Sequence, residues 1–342
     1  MLGLSCRRAT YPAPPRPTVG WHHANAVTIP DRPVPAAIDG LQPDALHRDV
    51  LAWYDAHARD LPWRAPAATP WGVLVSEVML QQTPVARVEP VWEQWMGRWP
   101  TPTALAGAPT GEVLRSWGRL GYPRRALRLK AAASALVERH AGEVPADPAA
   151  LLALPGIGSY TAAAVFAFAF GGRAVVVDTN VRRVLARALT GTAQAAPTLT
   201  SADTRLAARL LPDEPAVAAR WSVAVMELGA LVCTARAPAC RRCPVLEHCA
   251  WQQAGCPPDV GPPRRGQAWV GTDRQVRGRL MAVLRESAGP GPCSELERVW
   301  DDPVQRERCL DALVADGLAE RVGERGGHAG HAGHVTLPGG AP

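Results

Sequence analysis

Apolar positions recur along most of this chain at the three-to-four-residue spacing of amphipathic helices, and proline and glycine cut the pattern into short pieces. The pattern begins near Pro43, where Leu46, Val50, Leu51 and Tyr54 share one face. A loop, Arg59 to Arg64, follows. The spacing then predicts an apolar helix from Trp71 to Gln82 and a second, starting at Pro84, that carries Val88, Val91, Trp92 and Trp95. Further helices are expected over 103–117, 124–140, 148–153, 159–170, 179–189, 201–211 and 213–231. Val175-Val176-Val177 reads as one short extended run. With so little sheet signal, the body is expected to be all-α.

Past residue 256 the pattern changes. Residues 257–268 read as a Pro/Gly/Arg linker. Helices then fit 273–287, 294–300 and 303–316. A strand from Leu318 to Val322, a Gly/His-rich tip (Gly323 to His334) and a second strand from Val335 to Leu337 complete a small winged-helix-like α+β module, 269–342. The repeated His328, His331 and His334 suit a wing tip better than a metal site. Residues 1–40 are rich in Pro, Ala and Arg without periodicity and are expected to be a disordered tail or in part a mis-assigned start.

Composition narrows the class. The net charge is +6, which suits a polyanionic partner. The basic residues are 36 Arg and one Lys, Lys130, so chemistry that needs a lysine has one candidate. No apolar run approaches the ~20 residues of a membrane span, and the N-terminus lacks the pattern of an export signal.

Eight cysteines are present, four of them crowded as Cys233, Cys240, Cys243 and Cys249, a C-x6-C-x2-C-x5-C spacing. Without an export signal they read as metal or cluster ligands. Four thiolates in one loop suit a 4Fe–4S cluster. Tetrahedral zinc is the rival, but zinc modules usually pair their ligands in two short knuckles. Interleaved Arg236, Arg241 and Arg242 suggest a phosphate-binding loop.

Leu154-Pro155-Gly156-Ile157-Gly158-Ser159-Tyr160-Thr161 places two glycines before a new helix. A tight turn feeding unpaired N–H groups of a helix start makes a clamp for a phosphate backbone. Glu77 lies mid-helix among Val73, Leu74, Val78 and Leu80, where a carboxylate is costly unless protonated or paired. A raised pKa there would suit a general acid, and the plainer alternative is a solvated or arginine-paired glutamate. Asp178 precedes a helix and by position reads as an N-cap.

The hairpin, Asp178 and the four-cysteine loop together resemble the helix-hairpin-helix DNA glycosylases that carry an iron–sulfur cluster. Leu61-Pro62-Trp63-Arg64, Ser76 to Thr83, Gly118 to Tyr122 and Glu227 to Cys233 look like the MutY-type adenine glycosylases of that superfamily. The resemblance covers roughly 43–252 and implies a six-helix domain (about 66–172) and a cluster domain (41–65 and 173–256). It implies that Glu77 protonates the adenine leaving group, that Asp178 stabilises the sugar cation, and that Asn180 and Tyr160 order the site. It further implies that Arg59, Leu61, Trp63 and Arg64 line the adenine pocket, that Gln82 and Tyr122 enter the DNA stack, and that Gly156, Gly158 and Ser159 grip phosphate.

Lysine-bearing relatives cut the strand through a Schiff base from the position that Tyr160 occupies here, so a monofunctional enzyme is expected. The implied substrate is double-stranded DNA with adenine opposite 8-oxoguanine or guanine, met by a monomer in the cytoplasm. Departures are Val223 where relatives carry Gln or Glu, Pro123 after Tyr122, and no recognisable 8-oxoguanine-reading domain. A thymine or uracil mismatch glycosylase and a non-catalytic iron–sulfur DNA-binding protein are the alternatives.

Overall fold

The computed structural model describes residues 43–259, 268–287, 291–322 and 334–339. The expected N-terminal tail, most of the linker and the tip residues His328 and His331 lie outside them. The described residues divide into two units, with the boundary between Gln267 and Ala268.

The first unit is helical. Its elements are α1 (Pro43–His57), α2 (Pro70–Leu80), α3 (Val85–Arg98), α4 (Pro102–Ala106), α5 (Thr110–Trp117), α6 (Arg124–His140), α7 (Pro148–Leu152), α8 (Ser159–Phe170), α9 (Thr179–Thr190), α10 (Ser201–Arg209), α11 (Pro215–Leu231) and α12 (Ala250–Gln253). Helix starts follow local chemistry. The Thr69 hydroxyl accepts the Gly72 amide at 3.1 Å and caps α2, Asp147 caps α7, and Thr200 with Asp203 forms a capping box on α10.

The 103–117 pattern is two helices, not one. Gly107-Ala108-Pro109 separates them, because Pro109 has no N–H to continue α4 and its fixed φ suits the residue before α5. Among the described residues, Val175–Val177 pairs with no strand. Val176 instead fills a small apolar cluster with Ala164, Ala167 and Ala219.

α2 packs on α8, α4 on α6, and α9 lies between α11 and α12. One core holds Leu74 and Met79 with Trp95 set edge-on against both Trp99 and Trp117. A second gathers Val50, Trp53, Val184, Leu185, Trp221 and Leu228 from α1, α9 and α11. α2 contributes to the first and α9 to the second, so the segment joining α8 to α9 crosses between the two cores.

The second unit runs α13 (Asp273–Glu286), β1 (Gly291–Pro292), α14 (Cys293–Glu297), α15 (Pro303–Ala315), β2 (Glu320–Val322) and β3 (His334–Thr336). The sheet is antiparallel in the order β1-β3-β2, with Arg321 and Gly291 both opposite Val335. Helix, strand, two helices and two strands is the order of a winged helix. The expected two-stranded ribbon has a third strand, because a Gly-Pro pair carries no strand pattern and becomes an edge only beside β3.

Candidate active site

α2 has almost no polar face, and nearly all of it is buried. Glu77 is therefore carried into the interior by its neighbours and is 6% exposed. The Tyr160 hydroxyl, on the first turn of α8, donates to Glu77 Oε2 at 3.1 Å. Burial pushes the Glu77 carboxyl up to about 7, and the nearby Asp178 adds to this. The Tyr160 hydrogen bond and the Arg64 charge oppose it without cancelling it. Burial, with Glu77 and Asp178, drives the Tyr160 phenol well above its ordinary value.

Asp178 is the N-cap of α9: its Oδ1 accepts the Val181 amide at 2.7 Å, and its Oδ2 accepts the Asn180 side-chain amide at 2.8 Å. Burial raises this carboxyl too, while those donors and Arg183 favour the anion. Asn180 is held by Arg183, whose Nη2 donates to Asn180 Oδ1 at 2.6 Å and to the Gly229 carbonyl at 2.7 Å. Any Cβ on Gly229 would stand 2.7 Å from the Asn180 Cβ, so α9 and α11 meet this closely only with glycine there. Two carboxyls thus face one space, one raised to about 7 and so still half protonated at that pH, the other surrounded by donors that favour its anion.

That space is a cleft of about 1470 Å³. It brings together Arg59, Leu61, Trp63, Arg64, Glu77, Gln82, Gly156, Gly158, Ser159, Tyr160, Asp178 and Asn180, although they span more than a hundred residues of chain. Val223 lines it as well. Tyr122 lies outside the lining, on the turn before α6, with φ +48° and 44% of its surface exposed. Gly156 takes φ +76°, and a Cβ there would stand 2.6 Å from the Arg128 Cβ, so the hairpin requires glycine. At Gly158 a Cβ would meet open space, so the fold does not demand glycine there, and the bare backbone is open to a ligand.

The HhH-GPD superfamily of base excision DNA repair proteins matches residues 75–208. The adenine DNA glycosylase of Mycobacterium tuberculosis (strain ATCC 25618 / H37Rv) is 55% identical over 274 residues, which is 80% of this chain and 90% of that protein. This chain belongs to the adenine DNA glycosylases. Among solved structures, a thermostable thymine-DNA glycosylase has a TM-score of 0.55 at 26% identity, covering 62% of this chain and 97% of that one. An endonuclease III trapped on DNA has a TM-score of 0.52 at 23% identity and covers 63% and 99%, a likeness of fold.

The sequence motifs single out no role for one buried residue that orders the arginines of the cleft. Glu227 is fully buried on α11 and accepts from Arg59 Nε at 2.7 Å, from Arg59 Nη2 at 2.6 Å and from Arg64 Nη2 at 3.0 Å. It sets the pitch of both arginines at the mouth of the cleft. Burial alone would raise its carboxyl, but the two guanidiniums outweigh burial and bring it down to about 2. In sequence it is a lone acid inside the apolar run Val223 to Val232, at the head of the family-like stretch Glu227 to Cys233. Lys130 is spent on the Ala106 carbonyl at 2.6 Å.

The four crowded cysteines form a loop of two 3-10 turns after α11. Among the described residues, no three His, Cys, Asp or Glu side chains stand close enough to share one metal ion. The four thiols nevertheless act on one another: burial first, then Cys233, Cys249 and Cys240, push the Cys243 thiol up to about 11. Four thiols that raise one another's pKa lie in one loop, a donor set of the type that takes one thiolate per iron. Cationic groups adjoin it, with Arg187 Nη1 3.4 Å from Cys233 Sγ and exposed Arg236, Arg241 and Arg242 on the loop. Arg183 Nε also donates to the Cys233 carbonyl at 2.6 Å, so α9 runs from the acid site to this loop.

Proposed function

We propose that this chain removes adenine mispaired with 8-oxoguanine or guanine in double-stranded DNA by hydrolysing its N-glycosidic bond, without cutting the strand. The observation that carries this reading is the buried Glu77 carboxyl, raised to about 7 and bonded by Tyr160, facing the donor-held Asp178 carboxylate in one cleft.

Neutral Glu77 gives its proton to a ring nitrogen of the extruded adenine, and the C1′–N9 bond breaks with its electron pair leaving on the base. Asp178 faces the positive charge left on the sugar. Water then adds to C1′, and its proton restores Glu77. Asn180 and Tyr160 hold the two carboxyls in place. Tyr160 offers a phenol where a Schiff base needs an amine, which supports base removal without a lyase step.

Arg59, Leu61, Trp63 and Arg64 form the adenine pocket, Gln82 and Tyr122 enter the stack as the base leaves, and Gly156, Gly158 and Ser159 present backbone donors to phosphate. Cys233, Cys240, Cys243 and Cys249 would hold a 4Fe–4S cluster, which supplies a folded, arginine-bearing loop for the DNA backbone. The glycosylase spans 41–256 and works as a monomer on nucleoid DNA in the cytoplasm, with 269–342 a separate winged-helix module. No helix among the described residues is long and apolar enough to cross a membrane.

The test is incubation of the purified protein with duplexes carrying A, T or U opposite 8-oxoguanine or G, followed by hot alkali. Strand cleavage at A only after alkali, lost in Glu77→Gln and Asp178→Asn, is the expected result. Cleavage at T or U would move the chain to the pyrimidine mismatch enzymes, cleavage without alkali would overturn the reading of Tyr160, and release of no base would leave a DNA-binding protein.

A further inference from the structure

Arg125 lies on the first turn of α6 and is not part of the cleft lining, yet it is 7% exposed. Its Nη1 donates to the carbonyls of Val78 and Met79, both at 2.9 Å, and of Gln81 at 2.6 Å. These are carbonyls of the last turn of α2 and of the residue after it, which a helix leaves unpaired and where its dipole favours a cation. Its Nη2 donates to Thr83 Oγ1 at 2.9 Å and to the Gly121 carbonyl at 3.0 Å, and it reaches the Leu120 carbonyl at 3.4 Å. The guanidinium also lies over the rings of Trp117 and Tyr122, 5.1 and 5.6 Å from their centroids.

The carbonyls that Arg125 holds flank the two strained residues of this region. Gln82 has φ +57° and Tyr122 has φ +48°, a region of backbone space that side chains other than Gly, Asn and Asp rarely occupy. Such a residue persists only where its surroundings enforce it. Gln81 and Thr83 bracket the first, and Gly121 precedes the second. One buried group therefore enforces both turns, and Thr83 reinforces it by donating to the Leu120 carbonyl at 3.2 Å. The same guanidinium grips Val78 and Met79, the two residues that follow Glu77 on α2.

We propose that Arg125 is a positioning residue that couples the two stack-entering side chains, Gln82 and Tyr122, to the helix that carries Glu77. The two turns that serve base extrusion are then held to the end of that helix by one guanidinium. This rests on the reading of Gln82 and Tyr122 given above. A lysine in its place keeps the charge but has one nitrogen, which cannot hold the end of α2 and the 120–121 turn together. Arg125→Lys therefore loosens both turns while the carboxyls of the cleft keep their own partners.

The experiment compares single-turnover excision of adenine from two duplexes: adenine opposite guanine, and adenine opposite an abasic-site analogue, where an unpaired base is easier to extrude. Arg125→Lys is expected to lose tenfold or more against guanine and to recover to within about threefold of the wild type on the unpaired adenine. Gln82→Ala and Tyr122→Ala should show the same dependence on duplex. Thermal melting and cluster absorbance of each variant show whether it is folded, and Arg125→Met serves as a second variant if Arg125→Lys melts early.

Equal losses on both duplexes would mean that Arg125 acts on folding or on the acid alone and would overturn the coupling, as would an unchanged rate on both. If the Gln82 and Tyr122 variants match the wild type on both duplexes, stack entry itself is wrong and the coupling falls with it. If those two are selectively impaired while Arg125→Lys is not, only the coupling fails.

Discussion

Glu77 on α2 and Glu227 on α11 occupy similar places, and their carboxyls are shifted in opposite directions. Each sits mid-helix in an apolar run, each is buried, and Arg64 acts on both. Glu227 accepts three hydrogen bonds from the side chains of Arg59 and Arg64 and is held near 2. Glu77 accepts from the Tyr160 hydroxyl, lies near a second carboxylate and feels Arg64 only through its charge, and burial carries it to about 7. Burial alone thus decides neither state. The partners brought up by other helices do, and the same residue type becomes an acid in one place and a fixed anion in the other.

The sharpest way to break this comparison is to remove the proton from one side. Glu77→Gln cannot donate, so single-turnover adenine excision should fall by about 10³-fold, within the range expected for loss of a general acid. DNA affinity should stay within about threefold. Excision at the wild-type rate would show that Glu77 is a buried bystander.

Glu227→Gln should act on stability instead. It leaves Arg59 and Arg64 without their anion, and denaturant unfolding at pH 7 should show a loss of about 3 kcal/mol, the low end for a broken buried pair because both arginines keep some water. The linkage signs are opposite for the two acids. Glu227 is depressed, so its stabilisation is present above about 4.5 and is lost as pH falls through about 2. Glu77 is raised, so its favourable neutral state is fully present below about 4.5 and is lost as pH rises through about 7. A glutamine at 77 should therefore raise the melting temperature at pH 8 and leave it nearly unchanged at pH 4.

The wild-type rate carries the same signature. Single-turnover excision should fall tenfold per pH unit above about 7 as Glu77 ionises. A flat profile from pH 6 to 9 would place the acid elsewhere. The smallest effect belongs to Tyr160→Phe. Its hydroxyl favours the Glu77 anion, so removing it should move the alkaline limb upward by about one unit. An unmoved limb would show that this hydrogen bond does not bear on the proton.

Much of the molecule is written locally. Pro and Gly mark where helices stop, Thr69, Asp147 and Asp178 mark where they start, and the apolar spacing sets which face is buried. The four cysteines lie within one short loop, and the glycine hairpin is contiguous, so both are legible residue by residue. Pro109 also marks the break between α4 and α5, but the apolar spacing on either side runs on in phase and hides it.

What the sequence by itself determined is where most of the helices begin and end, the cysteine loop and the hairpin, because caps, turns and cysteine spacing depend on residues a few positions apart. Tertiary structure alone decided the state of the acids and the reach of the arginines. Glu77 meets a tyrosine 83 positions away, Glu227 an arginine 168 positions away, and Arg125 a carbonyl 47 positions away. A proton's free energy at a buried carboxyl is set by whichever charges and donors the packed helices bring within hydrogen-bonding range, and no local pattern along the chain records that distance.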